Sequence, residues 1–138
     1  NAYYYGQYLI SHPNLLSKKL RHRLESTRNA LASDYLTALE ARNEIYNSVE
    51  TLLENYDAII CLSAPGPAPH GFETTGSAVF NGLWTYLGVP CISLPLLTVE
   101  GLPQGLQLVG KRGEEGKLFR SALKLEQALD GKLDQNFK

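Results

Sequence analysis

The stretch that decides the fold is Thr74–Gly110, TTGSAVFNGLWTYLGVPCISLPLLTVEGLPQGLQLVG. Its first part predicts a short helix over Ser77–Leu87, which carries apolar and aromatic side chains at helical spacing. Gly88 ends this helix, because glycine readily takes the left-handed conformation that follows a helix C-terminus. Two short apolar runs follow, so this stretch alternates helix and strand as α/β proteins do.

The two apolar runs predict two strands joined by a turn. The first, Cys91–Leu94, is closed by Pro95, which cannot donate a hydrogen bond to a neighbouring strand. A turn around Gly101–Pro103 leads into the second, Leu106–Val109. Gly105, just before this strand, indicates a place where another chain segment approaches the backbone closely.

The residues before this stretch predict two helical regions, a strand and a loop. Pro13–Ala32 is typical of a helix or helix pair, and Ser33 is a candidate N-cap for a long helix over Asp34–Tyr56. The short apolar run Ala58–Leu62 predicts a strand buried on both faces. Ser63–Gly71, SAPGPAPHG, has three prolines and two glycines in nine residues and is therefore a loop.

A last amphipathic helix is predicted over Glu114–Asp130, with Gly131 as its stop signal. The element order is then α-α-β-α-β-β-α. This order predicts an α/β fold in which a short mixed sheet of three strands is covered by helices.

Composition restricts the classes of partner. Apolar residues make up 43% of the chain, enough for a packed core, and the formal net charge is −1. So small a charge offers no basic field for nucleic acid or an anionic membrane, and no apolar run approaches the roughly 20 residues that span a bilayer. Two cysteines and three histidines lie scattered, without the spacing of a metal site. We expect a cytoplasmic protein that needs neither metal nor cofactor.

The order of these landmarks resembles the C-terminal part of the amidase signature family. A long helix containing Arg42 leads to a buried strand and a Pro-rich loop, and Thr75-Gly76 follows. Then come a short aromatic helix, Gly88-Val89-Pro90, a second strand, and GLPQGLQLVG at Gly101–Gly110. The resemblance spans nearly the whole chain, and it implies the family's fold and its hydrolysis of carboxamide C–N bonds.

The resemblance also implies where the chemistry lies. In the family, a serine nucleophile acts with a second serine, in a cis peptide, and a lysine base. This chain has no Gly-Gly-Ser-Ser-Gly stretch, so we assign no catalytic residue within it, and Lys111 and Lys117 have no serine partner that the family pattern supports. We expect residues 1–138 to be a single segment, the C-terminal part of an amidase-like domain whose catalytic N-terminal part is absent. Such a segment is expected to be inactive alone.

The resemblance further implies partners and pocket residues. The partners are a small amide substrate in the intact protein, the missing N-terminal part of the same protein and further copies in a homo-oligomer. The residues beside the Pro-rich loop that we expect to contact substrate are Thr75, Phe80, Trp84, His70 and Gln107. Phe80 and Trp84 are alternatively core aromatics, and His70 a loop residue without a role.

Three other functions compete with an amidase segment. One is the glutaminase-type subunit of a tRNA-dependent amidotransferase, although Trp84–Leu87 replaces the Asn-Leu-Ala approach to Gly-x-Pro usual in that branch. Another is a non-catalytic binding or assembly module with an amidase-like fold. The last is an independent thiol enzyme using Cys61 or Cys91 with His70, which the apolar residues flanking both cysteines disfavour.

Overall fold

The apolar runs of the sequence form one sheet. The computed structural model describes residues 2–129, apart from the side chain of Ala2. Three strands appear in this part of the chain, β1 (Ile59–Leu62), β2 (Cys91–Val99) and β3 (Leu102–Val109), in the spatial order β1-β3-β2. The predicted α/β class is confirmed. The strand pairs are all antiparallel, however, so the expectation of a mixed sheet is wrong for the described residues.

A tight turn explains both the antiparallel pairing and the length of two strands. Glu100 and Gly101 have φ of 53° and 76°, the positive values that a two-residue hairpin turn requires. So short a connection can only join antiparallel neighbours. The predicted end of the first strand at Pro95 is wrong, because β2 continues to Val99. Pro95 lies where the register shifts, between Leu94 and Leu97, and such an irregularity accommodates a residue without an N–H.

The sheet presents two different faces, because side chains alternate along each strand and paired residues share a face. On one, here called the apolar face, Leu94 and Leu108 pack against Leu118 and Ala122 of α5 (Glu115–Leu129). The other, here called the polar face, carries side chains that the register places in neighbouring rows: Cys61, Ser63, Cys91, Ser93, Gly105 and Gln107.

β1 is less buried than its sequence predicts. Ile60 is 53% exposed and Leu62 is 37% exposed, so the expectation of burial on both faces is wrong. The reason is position: β1 is an edge strand, while α5 packs on β2 and β3.

The helices of the second half follow their sequence signals with small shifts. α3 (Ala32–Asn55) begins before Ser33, so Ser33 is not its N-cap. α4 (Val79–Leu87) starts two residues later than predicted and ends as predicted, with Gly88 left-handed at φ 66°. The predicted end of the last helix, Asp130 and Gly131, lies outside the described residues.

The chain divides into two compact units that meet in the sequence between Ala41 and Arg42. The first holds α1 (Ala2–Ser11), a 3-10 turn (Pro13–Leu15), α2 (Lys18–Thr27) and the start of α3. The predicted helix over Pro13–Ala32 is thus interrupted after the 3-10 turn. The second unit holds the sheet, and within the described residues no helix combines the length and apolarity that crossing a membrane requires.

Candidate functional site

A cleft of about 520 Å³ opens beside the Pro-rich loop. Its walls are the loop, residues 64–69, and the segment 75–77, and its third side is the start of β3 at residues 103–105. The lining is mostly proline, glycine and alanine, with polar side chains only at Thr75, Ser77 and Gln104. None of these described lining residues is ionisable. The cleft can therefore hold a mainly apolar group, but it has no acid, base or activated nucleophile of its own.

A pair of hydroxyl groups lies on the polar face where the loop begins. The Oγ atoms of Ser63 and Ser93 are 2.6 Å apart, across the top of β3. The strand between them is at Gly105, where an added Cβ would lie 2.5 Å from Ser63 Oγ and closer still to Ser93 Oγ. The predicted close approach at Gly105 is confirmed, since only glycine leaves room for the two side chains to meet.

Two side-chain amides hold the backbone at the start of the loop. Asn81 of α4 donates from Nδ2 to the carbonyl of Ser63 at 2.8 Å, and Gln104 of β3 donates from Nε2 to the carbonyl of Ala64 at 2.9 Å. The Ser63 N–H in turn donates to the Gly105 carbonyl at 2.9 Å. We call Ser63 and Ala64 with these contacts the loop junction. It connects the end of β1 to α4, β2 and β3 before the chain enters the loop.

Gln107 occupies the middle of the polar face. It is 4% exposed, and its Nε2 lies 3.5 Å from both the Phe80 carbonyl and Cys61 Sγ. These are long contacts, and they connect β3 to α4 and to β1. Gln107 is not among the residues that line the cleft.

The other sequence-predicted pocket residues are spread around the cleft. Thr75 lines it, in a segment where Gly76 takes φ 87° opposite Pro69. Phe80 is 37% exposed and Trp84 is partly buried, and both lie on α4 outside the lining. His70 is exposed in the loop, also outside the lining. The structure thus places one of the five predicted side chains in the cleft, and their contact with substrate stays a prediction.

Basic side chains of the second unit have structural partners. Arg112 donates from Nε to the Leu87 carbonyl at 3.0 Å and stacks 3.6 Å from the centre of the Tyr46 ring, so it caps the C-terminus of α4. Lys111 pairs with Glu50 at 3.0 Å, and the hydrogen bond to Glu50 raises the pKa of Lys111 above its ordinary value.

Lys117 also has a carboxylate partner, Asp57, at 3.2 Å. Both lysines that follow β3 are therefore paired with carboxylates and not with a serine hydroxyl. This is the opposite of what a lysine base in a serine–lysine mechanism requires.

The two thiols do not form an activated nucleophile. Burial raises the pKa of Cys91, and the nearby Cys61 thiol raises it further, so the reactive thiolate is disfavoured. His70 forms no hydrogen bond to either cysteine. Among the described residues, no three His, Cys, Asp or Glu side chains group as metal ligands would.

Sequence reasoning missed the residues of the loop junction. Asn81 gives a signal, since it is a polar residue early in a helix whose sequence is VFNGLWTYL. Gln104 gives a weaker one, as an amide between proline and glycine at the start of a strand. That both reach consecutive carbonyls depends on how α4 and β3 pack beside β1, which no local pattern states.

Known proteins match this chain along most of its length. The family model Amidase matches residues 7–119. The A subunit of glutamyl-tRNA(Gln) amidotransferase from Clostridium botulinum is 33% identical over 88% of the chain and 27% of its own length. The protein of the same name from Geobacillus thermodenitrificans is 38% identical over 70% of the chain and 21% of its own length.

Solved structures agree with the sequence matches. One described as a crystal structure of an amidase superposes with a TM-score of 0.74 and 31% identity, over 84% of this chain and 30% of that one. The A subunit of glutamyl-tRNA(Gln) amidotransferase from Thermotoga maritima gives 0.56 and 25% identity, over 86% and 30%. The chain spans less than a third of the length of each of these relatives. Because the family model covers well over half of its residues, the chain belongs to the amidase family.

Proposed function

We propose that this chain is the C-terminal part of an amidase that hydrolyses the C–N bond of small linear amides. The Ser–Ser–Lys triad lies outside residues 1–138, and the cleft beside the Pro-rich loop forms one wall of the acyl pocket. The observation that carries this proposal is the lining of the cleft: apolar, with three uncharged polar side chains and no acid–base group. Such a surface suits the acyl part of a substrate whose bond is broken by residues of another segment.

The family match supports the enzyme class, and the ion pairs support the division of labour. Lys111 and Lys117 are both paired with carboxylates, and the Ser63 and Ser93 hydroxyls bond to each other. No serine among the described residues is hydrogen-bonded to a lysine, so the proton transfer that activates a serine nucleophile has to be supplied from elsewhere.

The proposed partners follow from the same interpretation. They are a small amide substrate, the N-terminal part of the same protein, and further copies of it in a homo-oligomer. A cytoplasmic location, with neither nucleic acid nor membrane as a partner, completes the proposal.

Turnover measurements test the main proposal. The purified chain is incubated with aliphatic, aryl and urea-like amides, and ammonia release is followed. We expect none from residues 1–138. Amide turnover that disappears when a residue of this chain is substituted would overturn the placement of the triad.

The upstream coding region provides an independent test. A glycine-rich Ser–Ser turn before Asn1, with a lysine some tens of residues earlier, is expected. A coding region that lacks them would favour a non-catalytic binding or assembly module instead.

A second candidate function is the glutaminase-type subunit of a tRNA-dependent amidotransferase, because two of the similar proteins carry the name of a glutamyl-tRNA(Gln) amidotransferase. The two functions differ in the amide they consume. For the complete protein, we expect small aliphatic or aryl amides to be hydrolysed faster than glutamine. Preferential release of ammonia from glutamine, increased by a charged tRNA and partner proteins, would decide for the amidotransferase.

Self-association of the chain is tested by light scattering over a range of concentrations. Many apolar side chains are exposed, among them Ile60, Leu83 and Phe119. Exposed apolar surface of this kind favours association. A strictly monomeric chain at high concentration would contradict the proposed homo-oligomer.

A further inference from the structure

We propose that Asn81 and Gln104 are positioning residues that fix the Pro-rich loop at its junction with β1 and thereby set the width of the cleft. This inference rests on the proposed function, under which that width selects the size of the acyl group. Neither residue touches the reacting bond. Their effect passes through the backbone carbonyls of Ser63 and Ala64.

The loop can only be positioned at its base. Pro65, Pro67 and Pro69 alternate along it, and each proline fixes its own φ and restricts the residue before it. The segment 65–69 is therefore stiff, and it moves mainly by rotation about Ser63 and Ala64. A small rotation there displaces the whole wall of the cleft.

The base is held by contacts from separate elements. Asn81 Nδ2 reaches the Ser63 carbonyl from α4 at 2.8 Å, and Gln104 Nε2 reaches the Ala64 carbonyl from β3 at 2.9 Å. Two consecutive carbonyls are thus held from two directions. One amide fixes a position, whereas two from different elements also fix the direction in which the loop leaves the sheet.

The opposite wall comes close to the end of the loop. A Cβ placed on Gly76 would be 3.6 Å from Pro69 Cγ, an ordinary van der Waals distance. The gap between the walls is therefore already narrow at this point. Rotation of the loop at its base would open it, and bulkier groups would then enter.

Gln104 shows that the amide serves more than the stability of the fold. Its side chain is 3% exposed, and its Oε1 is buried without a hydrogen-bond partner among the described residues. A buried acceptor without a partner is destabilising, so an apolar side chain of similar size would avoid this defect. What leucine lacks is the N–H donor that holds the Ala64 carbonyl. Locally unfavourable residues of this kind are expected where function requires them.

The first experiment measures the loop directly and does not depend on any enzymatic activity. Backbone ¹⁵N relaxation of Gly66 and Ala68 is recorded for the chain and for the variants Gln104→Leu and Asn81→Ala. We expect order parameters near the rigid value of about 0.85 in the parent and below about 0.6 in both variants. Gln127→Leu and Asn43→Ala, on exposed helical positions, are the matched controls and should leave both residues rigid.

A structural defect is separated from a positioning effect by thermal unfolding of the same samples. We expect Gln104→Leu to unfold within a few degrees of the parent, since it loses one hydrogen bond and one unpaired acceptor together. If leucine disturbs the packing, Gln104→Met repeats the test with an unbranched side chain that also lacks a donor. Order parameters that stay at the parent value in a folded variant would overturn the proposal.

The second experiment measures selectivity in the protein at its natural full length. The ratio of kcat/KM for a long-chain amide to that for a short-chain amide is expected to rise about tenfold in Gln104→Leu, the factor carried by one ordinary hydrogen bond. The change should fall mainly on KM, and Gln127→Leu should not alter the ratio. A loosened loop with an unchanged ratio would overturn the role in selectivity. Absence of amide turnover in the full-length parent would instead refute the proposed function, and the relaxation data would still decide the role of Asn81 and Gln104.

Discussion

The two faces of the sheet show how one short sheet can serve two purposes. The apolar face packs Leu94 and Leu108 against Leu118 of α5, and its contacts are the non-directional ones of a core. The polar face carries Ser63, Ser93 and Gln107, whose contacts are directional and connect strands, loop and α4. The first face accounts for most of the stability, while the second determines where the Pro-rich loop lies.

The largest expected effect comes from the apolar face. Leu108 and Ile60 lie opposite each other in neighbouring strands, but Leu108 is 2% exposed and Ile60 is 53% exposed. Leu108→Ala should lower the free energy of unfolding by about 2–5 kcal/mol, the usual range for a truncated core side chain. Ile60→Ala, the matched control, should lower it by less than about 1 kcal/mol. Equal losses in urea unfolding would mean that the two faces are not divided as described.

The next effect is expected where the hydroxyl pair crosses β3. Gly105→Ala forces a Cβ against Ser63 and Ser93, and it should destabilise the protein by about 1–3 kcal/mol. Adding Ser93→Ala should recover part of this loss, because it removes the hydroxyl that would lie nearest the new Cβ. Gly82→Ala in α4 is the control: nothing lies within 4 Å of its Cβ position, so helix propensity should make it stabilising. The three unfolding curves decide this, and a neutral Gly105→Ala would contradict the crowding.

A smaller effect is expected from making the polar face apolar. Gln107→Leu removes two long contacts, to the Phe80 carbonyl and to Cys61 Sγ, while keeping the side chain buried. We expect a loss of about 1 kcal/mol, as for one ordinary hydrogen bond. Gln127→Leu on the exposed side of α5 should change stability by less than about 0.5 kcal/mol. A Gln107 variant more stable than the parent would show that this face does not depend on its hydrogen bonds.

The smallest effect concerns the thiol at the edge of the polar face. Burial and Cys61 raise the pKa of Cys91, so the thiol stays protonated at neutral pH. Alkylation of Cys91 by iodoacetamide should therefore be slow near pH 7 and accelerate only above the ordinary pKa of cysteine.

The same shift has a sign for stability. Because the unfolded chain releases this proton first, the contribution of Cys91 is present at neutral pH and is lost as the pH rises through the raised pKa. Cys91→Ala should remove that alkaline decline. Rapid alkylation at pH 7, measured by mass spectrometry with Cys61→Ala as background, would contradict the raised pKa.

The fold was largely predictable because its strongest signals are local. Gly88 ends α4 at the expected residue, since a left-handed position after a helix requires a residue without Cβ. The apolar run before the Pro-rich loop forms β1 within one residue of its prediction. The long hairpin was missed for a physical reason: proline at residue 95 is tolerated because the register shifts there, and that shift is a property of the pair of strands.

The candidate site was only partly predictable. Thr75 lines the cleft as expected from its place after the loop, while Trp84 and Gln107 lie outside the lining. Gln104 and Asn81 act on carbonyls of residues that are distant in the chain, so their spacing in the sequence has no recognisable period. Contacts between a side chain and a remote backbone group depend on packing, and packing is not written in local propensity.

By itself, the sequence determined the α/β class, the helix stop at Gly88, the Pro-rich loop and the resemblance to the amidase family, because each depends on residue type and order over short distances. Only the tertiary structure decided that the sheet is antiparallel, that β1 leaves Ile60 exposed, and that Asn81 and Gln104 meet at the loop junction. The reason is that pairing direction, burial and long-range hydrogen bonds belong to pairs of elements, and they are fixed only when those elements pack together.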